Sequence, residues 1–486
     1  MPVEASTGCT SCIFCTTRHN TKYASKEAKA HRQNRVIPSR HCPGNPLDKI
    51  TYVGQPQHQC HCSLWTDKGH EENAMRPLRY EGPIQRERLH YLDWLRVLAV
   101  LGVFYAHSAD IFNKFYWHVR GGEQNTGLMV LVVFGTEWGM ALFFFLAGAS
   151  AWFALESRTA GQFVSERFTR LIIPFIVGFI LLAPPLAYLV AISHSLYHGN
   201  LFQFYPYYFE NIHMSWNPQW LGIYAFHLWF LVFLFVISTL ALPVLLSLRR
   251  KPSLRFMAKL AAFCDRPAGL FVFVLPIALI QIALRAPFPG YQSWSDFFTW
   301  LIFFIYGFMF LAEPRFESAI QKQWKLTLFV AITSLLIMLV ASFVSILSSW
   351  DSLSSYSVGY VLYQLLRSVV TWSWMIFVLY FGMRFLNFSD KFIEYANEAV
   401  LPFYILHYPV IVVIAFLTLA WNINIGVKLL VVSTIALIAT LVLFDLFIRR
   451  INVSRWLFGL KPLHELKPEH VQEPPRNSTP SPPLSR

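Results

Sequence analysis

Ten long apolar blocks constrain the fold of this chain more than any other feature. Their lengths approach the ~20 apolar residues that a helix needs to cross a bilayer. Hydrophobic residues make up 55% of the 486 residues and charged residues only 14%, against about a quarter charged in an average soluble chain. We therefore predict an all-α fold, a polytopic membrane helical bundle of about ten transmembrane helices. The approximate block limits are 91–112, 127–153, 171–192, 221–246, 268–285, 297–312, 326–346, 359–383, 399–420 and 428–448.

The basic residues collect in alternate loops between these blocks. If the N-terminus is cytosolic, the cytosolic segments hold 18 Lys and Arg, six of them in RRKPSLRFMAKLAAFCDR, whereas the opposite loops hold four. Such an excess marks the cytosolic side of a membrane protein, so we expect both termini in the cytosol. The same distribution accounts for the formal net charge of +13 without a nucleic-acid partner, and we predict none.

Two polar segments flank the membrane region. Residues 1–85 are rich in Cys and His and show no amphipathic period, and residues 461–486 are rich in Pro and Ser. We predict disorder in both segments, with the membrane domain spanning residues 86–460. Because the N-terminal segment has no apolar run of signal-peptide length, the first membrane helix is expected to direct insertion.

Six of the seven cysteines lie in the N-terminal segment, and their spacing does not resemble a disulfide framework. The run Cys9, Cys12 and Cys15 with His19 offers the ligand types that zinc prefers. No regular second ligand pair accompanies the run, so we predict no metal site. The chain also lacks a P-loop and an HExxH motif, which argues against nucleotide hydrolysis and metalloprotease activity.

The first apolar block, LDWLRVLAVLGVFYAH, carries Arg96 and His107 eleven positions apart. Eleven helical residues advance about 1,100°, which is three turns plus about 20°, and rise ~16 Å. Both side chains therefore lie on one face of the first helix. Ionisable residues inside a membrane are costly and mark functional sites. The alternative is that Arg96 reaches the lipid phosphates and His107 only packs against neighbouring helices.

The pair Arg96 and His107 reproduces the R-x10-H signature of the membrane acyltransferase-3 family, which the chain resembles over about residues 88–450. Further features recur in the family's order. They are MALFFFLAGASAWFAL at the end of the second block, the RxxRLxxP-like stretch FVSERFTRLIIPF, HLWFL and PFYILHYPV. The stretches LDWLRVLAV, LAGASAWFAL and HLWFL look most like the branch linked to glucan biosynthesis and to succinylation of periplasmic glucans.

This resemblance implies an O-acyltransferase in a bacterial plasma membrane. The family moves an acyl group, here acetyl or succinyl, from cytosolic acyl-CoA to a hydroxyl of an extracytoplasmic or lipid-linked glycan. Acyl-CoA is then a co-substrate, and no permanently bound cofactor is expected. Guanidinium groups bind phosphates in a fork geometry, so Arg96, Arg167 and Arg170 are candidates for binding the donor. The alternative is that these arginines serve only the positive-inside bias.

Histidine suits general-base work at neutral pH, and His107 is our candidate for the catalytic base. Glu137 is the acid best placed by depth to orient it; it could instead be a structural partner of Arg96 or Arg367. Catalysis through an acyl-histidine stays open. We expect His227, Trp229 and His407 to contact the substrate, although His227 and Trp229 also suit the membrane interface.

A secondary transporter is the alternative from another functional class. Its Arg, His and Glu residues would form a substrate or proton path. Transporters often contain internal repeats, whereas the first five and last five blocks show no self-similarity. The lack of a repeat favours the acyltransferase.

Overall fold

The computed structural model describes residues 89–112, 124–343, 356–418 and 420–463. Within these ranges the chain is helical and contains no strand. The predictions of disorder for 1–85 and for most of 461–486, and the question of zinc at Cys9, Cys12 and Cys15, lie outside the described residues.

Sixteen α-helices lie in the described ranges, and we number them in chain order. They are α1 His90–Asp110, α2 Thr126–Ser157, α3 Ala160–Arg167, α4 Ile173–Leu181, α5 Ala183–Ser193, α6 Leu201–Glu210, α7 Trp220–Ala225, α8 Trp229–Leu248, α9 Lys251–Cys264, α10 Val274–Leu284, α11 Trp294–Ala312, α12 Arg315–Phe343, α13 Val358–Phe385, α14 Lys391–Thr418, α15 Ile425–Leu443 and α16 Asn452–Leu457. Short 3₁₀ turns at Phe226–Leu228 and Gly269–Phe273 and π-helical segments at Phe168–Ile172 and Phe444–Ile448 join some of them.

Eight helical stretches in the described ranges are long and apolar enough to cross a membrane. They are Thr126–Ser157, Ala160–Ser193, Trp220–Leu248, Trp294–Ala312, Arg315–Ala341, Val358–Phe385, Lys391–Thr418 and Ile425–Ile448. Each coincides with one of the predicted blocks, so the helical membrane bundle is confirmed. The other two blocks form helices as well, α1 and the shorter stretch Gly269–Leu284, but they are not among the eight. The count of ten and the cytosolic termini stay predictions.

Helices α2 and α11 pack against each other along much of their length, and two glycines permit their close approach. A Cβ atom on Gly148 would lie 1.8 Å from the Phe304 carbonyl oxygen, and one on Gly307 would lie 1.9 Å from the Phe145 carbonyl oxygen. Small residues allow such backbone contact between membrane helices. In the same interface the Phe144 ring stacks on Trp300 at 5.2 Å.

Helix α1 packs between α2 and α14, and this position brings its polar face into the bundle. Phe104 of α1 is fully buried, with its ring 5.6 Å from that of Phe403 in α14. Trp300 of α11 also stacks on Trp229 at the start of α8, at 5.1 Å. The core therefore fixes α1, α8 and α14 around one region, where the three predicted histidines and Trp229 lie.

The chain after the last apolar block returns to the bundle. Arg455 of α16 is 1% exposed, and its guanidinium donates to Glu398 at 2.7 Å and to the Lys461 carbonyl oxygen at 2.6 Å. Gly459 has φ +75°, and a Cβ there would lie 2.8 Å from the Arg170 carbonyl oxygen. This segment thereby contacts the stretch that carries the predicted donor-binding arginines.

We expect Gly307→Ala to destabilise the bundle by about 1 to 3 kcal/mol, because the new methyl group overlaps the α2 backbone. Thermal unfolding in detergent, followed by size-exclusion chromatography, measures the change. The control is Gly161→Ala, since a Cβ there meets nothing within 4 Å and alanine favours the helix. Equal unfolding temperatures for the two variants would contradict the close α2–α11 contact.

Candidate active site

Three histidines predicted from separate motifs lie together inside the bundle. His107 stands near the end of α1, His227 in the 3₁₀ turn before α8, and His407 in α14. The His107 and His407 rings stack with centroids 5.6 Å apart. The His227 ring meets His407 edge-on at 5.3 Å. Tyr408 completes the cluster, with its ring 4.9 Å from both His107 and His227.

The short turn Phe226–Leu228 places His227 in this cluster. Phe226 has φ +52°, a backbone conformation that costs a non-glycine residue free energy and is often found at functional sites. The Tyr404 hydroxyl donates to the His227 carbonyl oxygen, which holds the turn against α14. His227 is 5% exposed and is therefore part of the bundle interior rather than the membrane interface.

A proline in α14 explains how the His227 ring is held. Pro409 has no N–H, so the carbonyl of Ile405, four residues earlier, lacks its usual helical partner. His227 Nε2 lies 3.0 Å from this Ile405 oxygen. Since a carbonyl only accepts, Nε2 must carry the proton, and Nδ1 of the neutral ring is an acceptor. That Nδ1 is buried and has no hydrogen-bond partner in the described part of the chain.

Backbone carbonyls also fix the tautomer of His407. Its Nδ1 lies 2.7 Å from the Tyr404 carbonyl oxygen and 3.2 Å from that of Phe403, so Nδ1 donates and Nε2 is the acceptor. This Nε2 is likewise buried without a partner among the described residues. His407 itself is fully buried. Two neighbouring imidazoles therefore each keep an unused acceptor nitrogen.

His107 is oriented by a carboxylate that the sequence argument overlooked. Its Nδ1 lies 3.2 Å from Asp110 Oδ2, three residues along α1. An ionised carboxylate accepts, so Nδ1 carries the proton and Nε2 is left as the basic nitrogen. The His107 side chain is 26% exposed and that of Asp110 14%. Spacing of three residues places two side chains on one helix face, which is the signal that could have identified Asp110.

Glu137 lies on α2 but pairs with a different helix. Its two carboxylate oxygens accept from Arg367 of α13, one from Nε at 3.1 Å and the other from Nη2 at 3.1 Å. The Thr371 hydroxyl donates to the Glu137 carbonyl oxygen at 3.0 Å. These contacts are those of a structural partner of Arg367, one of the two readings left open by the sequence. A catalytic role for Glu137 stays a prediction, and the carboxylate beside His107 is that of Asp110.

The predicted donor-binding arginines lie at the other end of α1. Arg96 donates to Ser150 Oγ at 2.8 Å and to Asp93 at 3.2 Å. Arg167 lies over the Phe163 ring at 5.1 Å, and Arg170 lies 3.4 Å from a Glu166 oxygen.

Arg167 lies near three further arginines. Arg96, Arg158 and Arg170 each repel its charge, and Glu166 attracts it. A capping box at Thr159 begins α3 at Ala160. The π-helical segment Phe168–Ile172 follows directly after Arg167, the last residue of α3. Segments of this kind are frequent at functional sites. The end of α1 opposite His107 is therefore strongly cationic.

A cavity of about 880 Å³ lies beside the histidine cluster, and none of the predicted donor-binding arginines lines it. His107, Asp110, His227 and Trp229 line it, whereas His407 does not and lies behind His107 and His227. Trp229 is 5% exposed and presents part of its ring to this space. In the described ranges no group of three or more His, Cys, Asp or Glu side chains has an arrangement that could hold a metal ion.

This arrangement suits the deprotonation of a hydroxyl group. An imidazole oriented by a carboxylate is the usual form of a protein general base. His107 Nε2 can take the proton, and His227 Nδ1 can accept a hydrogen bond from a second hydroxyl. Arg96 lies ~16 Å from His107 along α1, so the predicted donor-binding arginines and the histidines lie toward opposite ends of that helix.

Comparisons with known proteins identify a family and several relatives. A family profile described as Acyltransferase domain, the acyltransferase 3 family, matches residues 89–449. Relatives include Glucans biosynthesis protein C of Escherichia coli O1:K1 / APEC, 24% identical over 423 residues, and the protein of the same name from strain K12 / DH10B, 24% identical over 424 residues. Each alignment covers 81% of this chain and 100% of the relative. No solved structure matches the chain.

We expect breaking the Glu137–Arg367 pair to destabilise the fold. Replacing either residue with Gln leaves the other charge partly buried and unpaired, which should cost about 2 kcal/mol or more. The double variant Glu137→Gln/Arg367→Gln should cost less than the two single changes together. Thermal unfolding in detergent measures all three. Arg170→Gln serves as the control, because its exposed pair with Glu166 contributes at most about 1 kcal/mol.

Additive costs for the Glu137 and Arg367 variants would show that the pair is not a stabilising unit. Full stability of Glu137→Gln with loss of activity would return Glu137 to the catalytic residues.

Proposed function

This chain belongs to the acyltransferase 3 family, and from that premise we propose that it transfers an acetyl or succinyl group from acyl-CoA to a hydroxyl of an extracytoplasmic or lipid-linked glycan. The family and the apolar helices make it an integral multi-pass bacterial membrane protein and a membrane acyltransferase. The glycan acceptor is supported by relatives named for glucan biosynthesis. The observation that carries the proposal is the His107–Asp110 pair at the cavity.

The acceptor end of the reaction uses His107 as base. Its Nε2 takes the hydroxyl proton as the acceptor oxygen attacks the thioester carbonyl. The tetrahedral intermediate then collapses, the carbon–sulfur bond breaks, and the coenzyme A thiolate takes the proton from His107. Asp110 stabilises the imidazolium that forms between these two steps. An acyl-histidine intermediate would use the same His107 nitrogen as nucleophile, and a base other than His107 would then have to take the proton of the acceptor hydroxyl.

His227 and Trp229 orient the acceptor. A sugar carries several hydroxyls, so one can donate to the buried, unpartnered Nδ1 of His227 while its neighbour reacts at His107. The Trp229 ring offers an apolar face for the C–H side of a sugar. His407 does not line the cavity, so its proposed contribution is to hold His107 by ring stacking at 5.6 Å.

The donor end uses the arginine cluster. Coenzyme A carries phosphates, and Arg96, Arg167 and Arg170 supply guanidinium groups for them. Arg167 has no carboxylate ion pair among the described residues, which leaves its charge for a ligand. The donor then has to place its thioester ~16 Å from these arginines, the rise of α1 between Arg96 and His107.

The first test uses inverted membrane vesicles supplied with radiolabelled acetyl-CoA or succinyl-CoA. We expect label to enter glycan with the wild type, and the rate to fall by about 10² or more in His107→Ala, because general-base catalysis contributes about that factor. Asp110→Asn should lower kcat with little change in the KM of the acceptor. The matched control is His213→Ala, a surface histidine, which should behave as the wild type.

Unchanged incorporation in His107→Ala would remove His107 from the chemistry while the class of reaction stands. Incorporation from neither donor, with folded protein and a tested glycan acceptor, would overturn the proposed donor groups.

Arg167→Gln tests the donor site. We expect the KM for acyl-CoA to rise about tenfold to a hundredfold, since a hydrogen bond to a charged group contributes about 1.5 to 3 kcal/mol. The KM for the glycan should stay constant. Arg266→Gln removes an equal charge from an exposed position after α9 and should leave both constants unchanged. A rise of the same size in Arg266→Gln would show that overall charge, rather than a phosphate site, attracts the donor.

A further inference from the structure

The cavity at His107 continues into an apolar arm. On α1 its lining runs from Asp110 and His107 back through Gly102 and Leu98 to Leu95, which is ~18 Å of helix between His107 and Leu95. The lining residues that define the arm are Leu95, Leu98, Gly102, Leu131, Gly135, Gly139, Leu142, Val378 and Phe381. None of these has a polar side-chain atom, in contrast to the end of the cavity that contains the histidines.

Three glycines border the empty space of the arm and have no side chain to fill it. A Cβ atom on Gly102, Gly135 or Gly139 would meet nothing within 4 Å, so these glycines do not serve close helix packing. Gly135 and Gly139 are four residues apart and share one face of α2. Any larger side chain on that face would extend into the empty space. The width of the arm therefore depends on these positions.

The arm opens sideways rather than only toward water. Leu131 is 65% exposed and Leu98 42%, and both lie on helices of the apolar bundle. Phe381 of α13 is 43% exposed at the same cavity. Exposed apolar side chains on a membrane bundle face lipid. The mouth of the arm therefore faces the hydrocarbon region of the bilayer.

The chemistry of the arm selects its occupant. The Thr136 hydroxyl beside it already donates to the Val132 carbonyl oxygen at 2.8 Å. Trp138 Nε1 is the one buried side-chain atom without a partner on the α2 stretch that lines the described cavity. A pantetheine arm carries two amide groups, and the single unpaired Trp138 N–H cannot satisfy both of them, so burying the arm here would leave amide atoms unpaired. A hydrocarbon chain makes no such demand.

We propose that the apolar arm binds the hydrocarbon chain of a lipid-linked acceptor. The hydrocarbon chain of this acceptor enters the arm sideways from the bilayer. The glycan headgroup then lies at the polar end of the cavity. There His227, 5% exposed and with its Nδ1 unpartnered, accepts a hydrogen bond from a glycan hydroxyl. This inference rests on the proposed function, and it selects the lipid-linked class among the acceptors considered there.

The test compares two acceptors that carry the same saccharide, one linked to polyprenyl phosphate and one free in water, with full-length protein in phosphatidylcholine vesicles. Gly135→Leu and Gly139→Leu fill the arm and leave His107 in place. We expect kcat/KM for the lipid-linked acceptor to fall about tenfold or more, since each leucine would displace several CH₂ contacts of the hydrocarbon chain. Transfer to the free saccharide should change less than about twofold. Gly161→Leu, outside the cavity, is the matched control.

A second measurement needs no activity. Polyprenyl phosphate with a diazirine in its chain should label α1 and α2 peptides of the wild type, and Gly135→Leu should lose this label. Labelling spread over all lipid-facing helices, or an equal loss of both acceptors, would overturn the inference. Labelling of the arm by a diazirine acyl-CoA would assign it to the donor instead. If neither acceptor is acylated by the wild type, the proposed function fails, and the cross-link still decides what the arm binds.

Discussion

The structure depends on one constraint: a polar group inside a bilayer finds no water, so its partners must come from the protein. Most polar groups of the described bundle obey it. Glu137 binds Arg367 with both oxygens, and many Ser and Thr hydroxyls donate to carbonyls of their own helix. His227 Nδ1 and His407 Nε2 are exceptions, and they belong to neighbouring rings. Unsatisfied acceptors beside a cavity favour a ligand that donates hydrogen bonds.

A proline contributes to the unpaired state of His227 Nδ1. Pro409 cannot donate to the Ile405 carbonyl, and His227 Nε2 takes the place of the missing donor at 3.0 Å. This contact fixes the tautomer of His227 and thereby creates the free acceptor at Nδ1. The motif PFYILHYPV thus has two functions, since it supplies His407 and also the carbonyl that orients a histidine from another motif. Substitution of the proline would therefore act on His227 rather than only on the straightness of α14.

Sequence reasoning identified the helical blocks and the clustered histidines because both follow from local or motif-level signals. Arg96 and His107 share a face by helix geometry alone, and the structure keeps them on α1. The partner of Glu137 was left open between Arg96 and Arg367, because the sequence does not show which helices pack together, and the packing of α2 against α13 selects Arg367. Asp110 was missed although it follows His107 by three residues. It lies at the very end of the apolar block, where an acidic residue is easily taken for the start of a loop.

Glycine shows most clearly what a sequence leaves undetermined in a membrane bundle. Gly148 and Gly307 permit backbone contact between α2 and α11, whereas Gly135 and Gly139, about two and a half to three and a half turns away from Gly148 on the same α2 helix, border empty space. In the sequence all four are small residues in apolar blocks. A Cβ atom would collide with a neighbouring backbone at the first two positions and would narrow a cavity at the last two. One helix therefore uses the same residue to close the bundle against α11 and to open it beside the histidines.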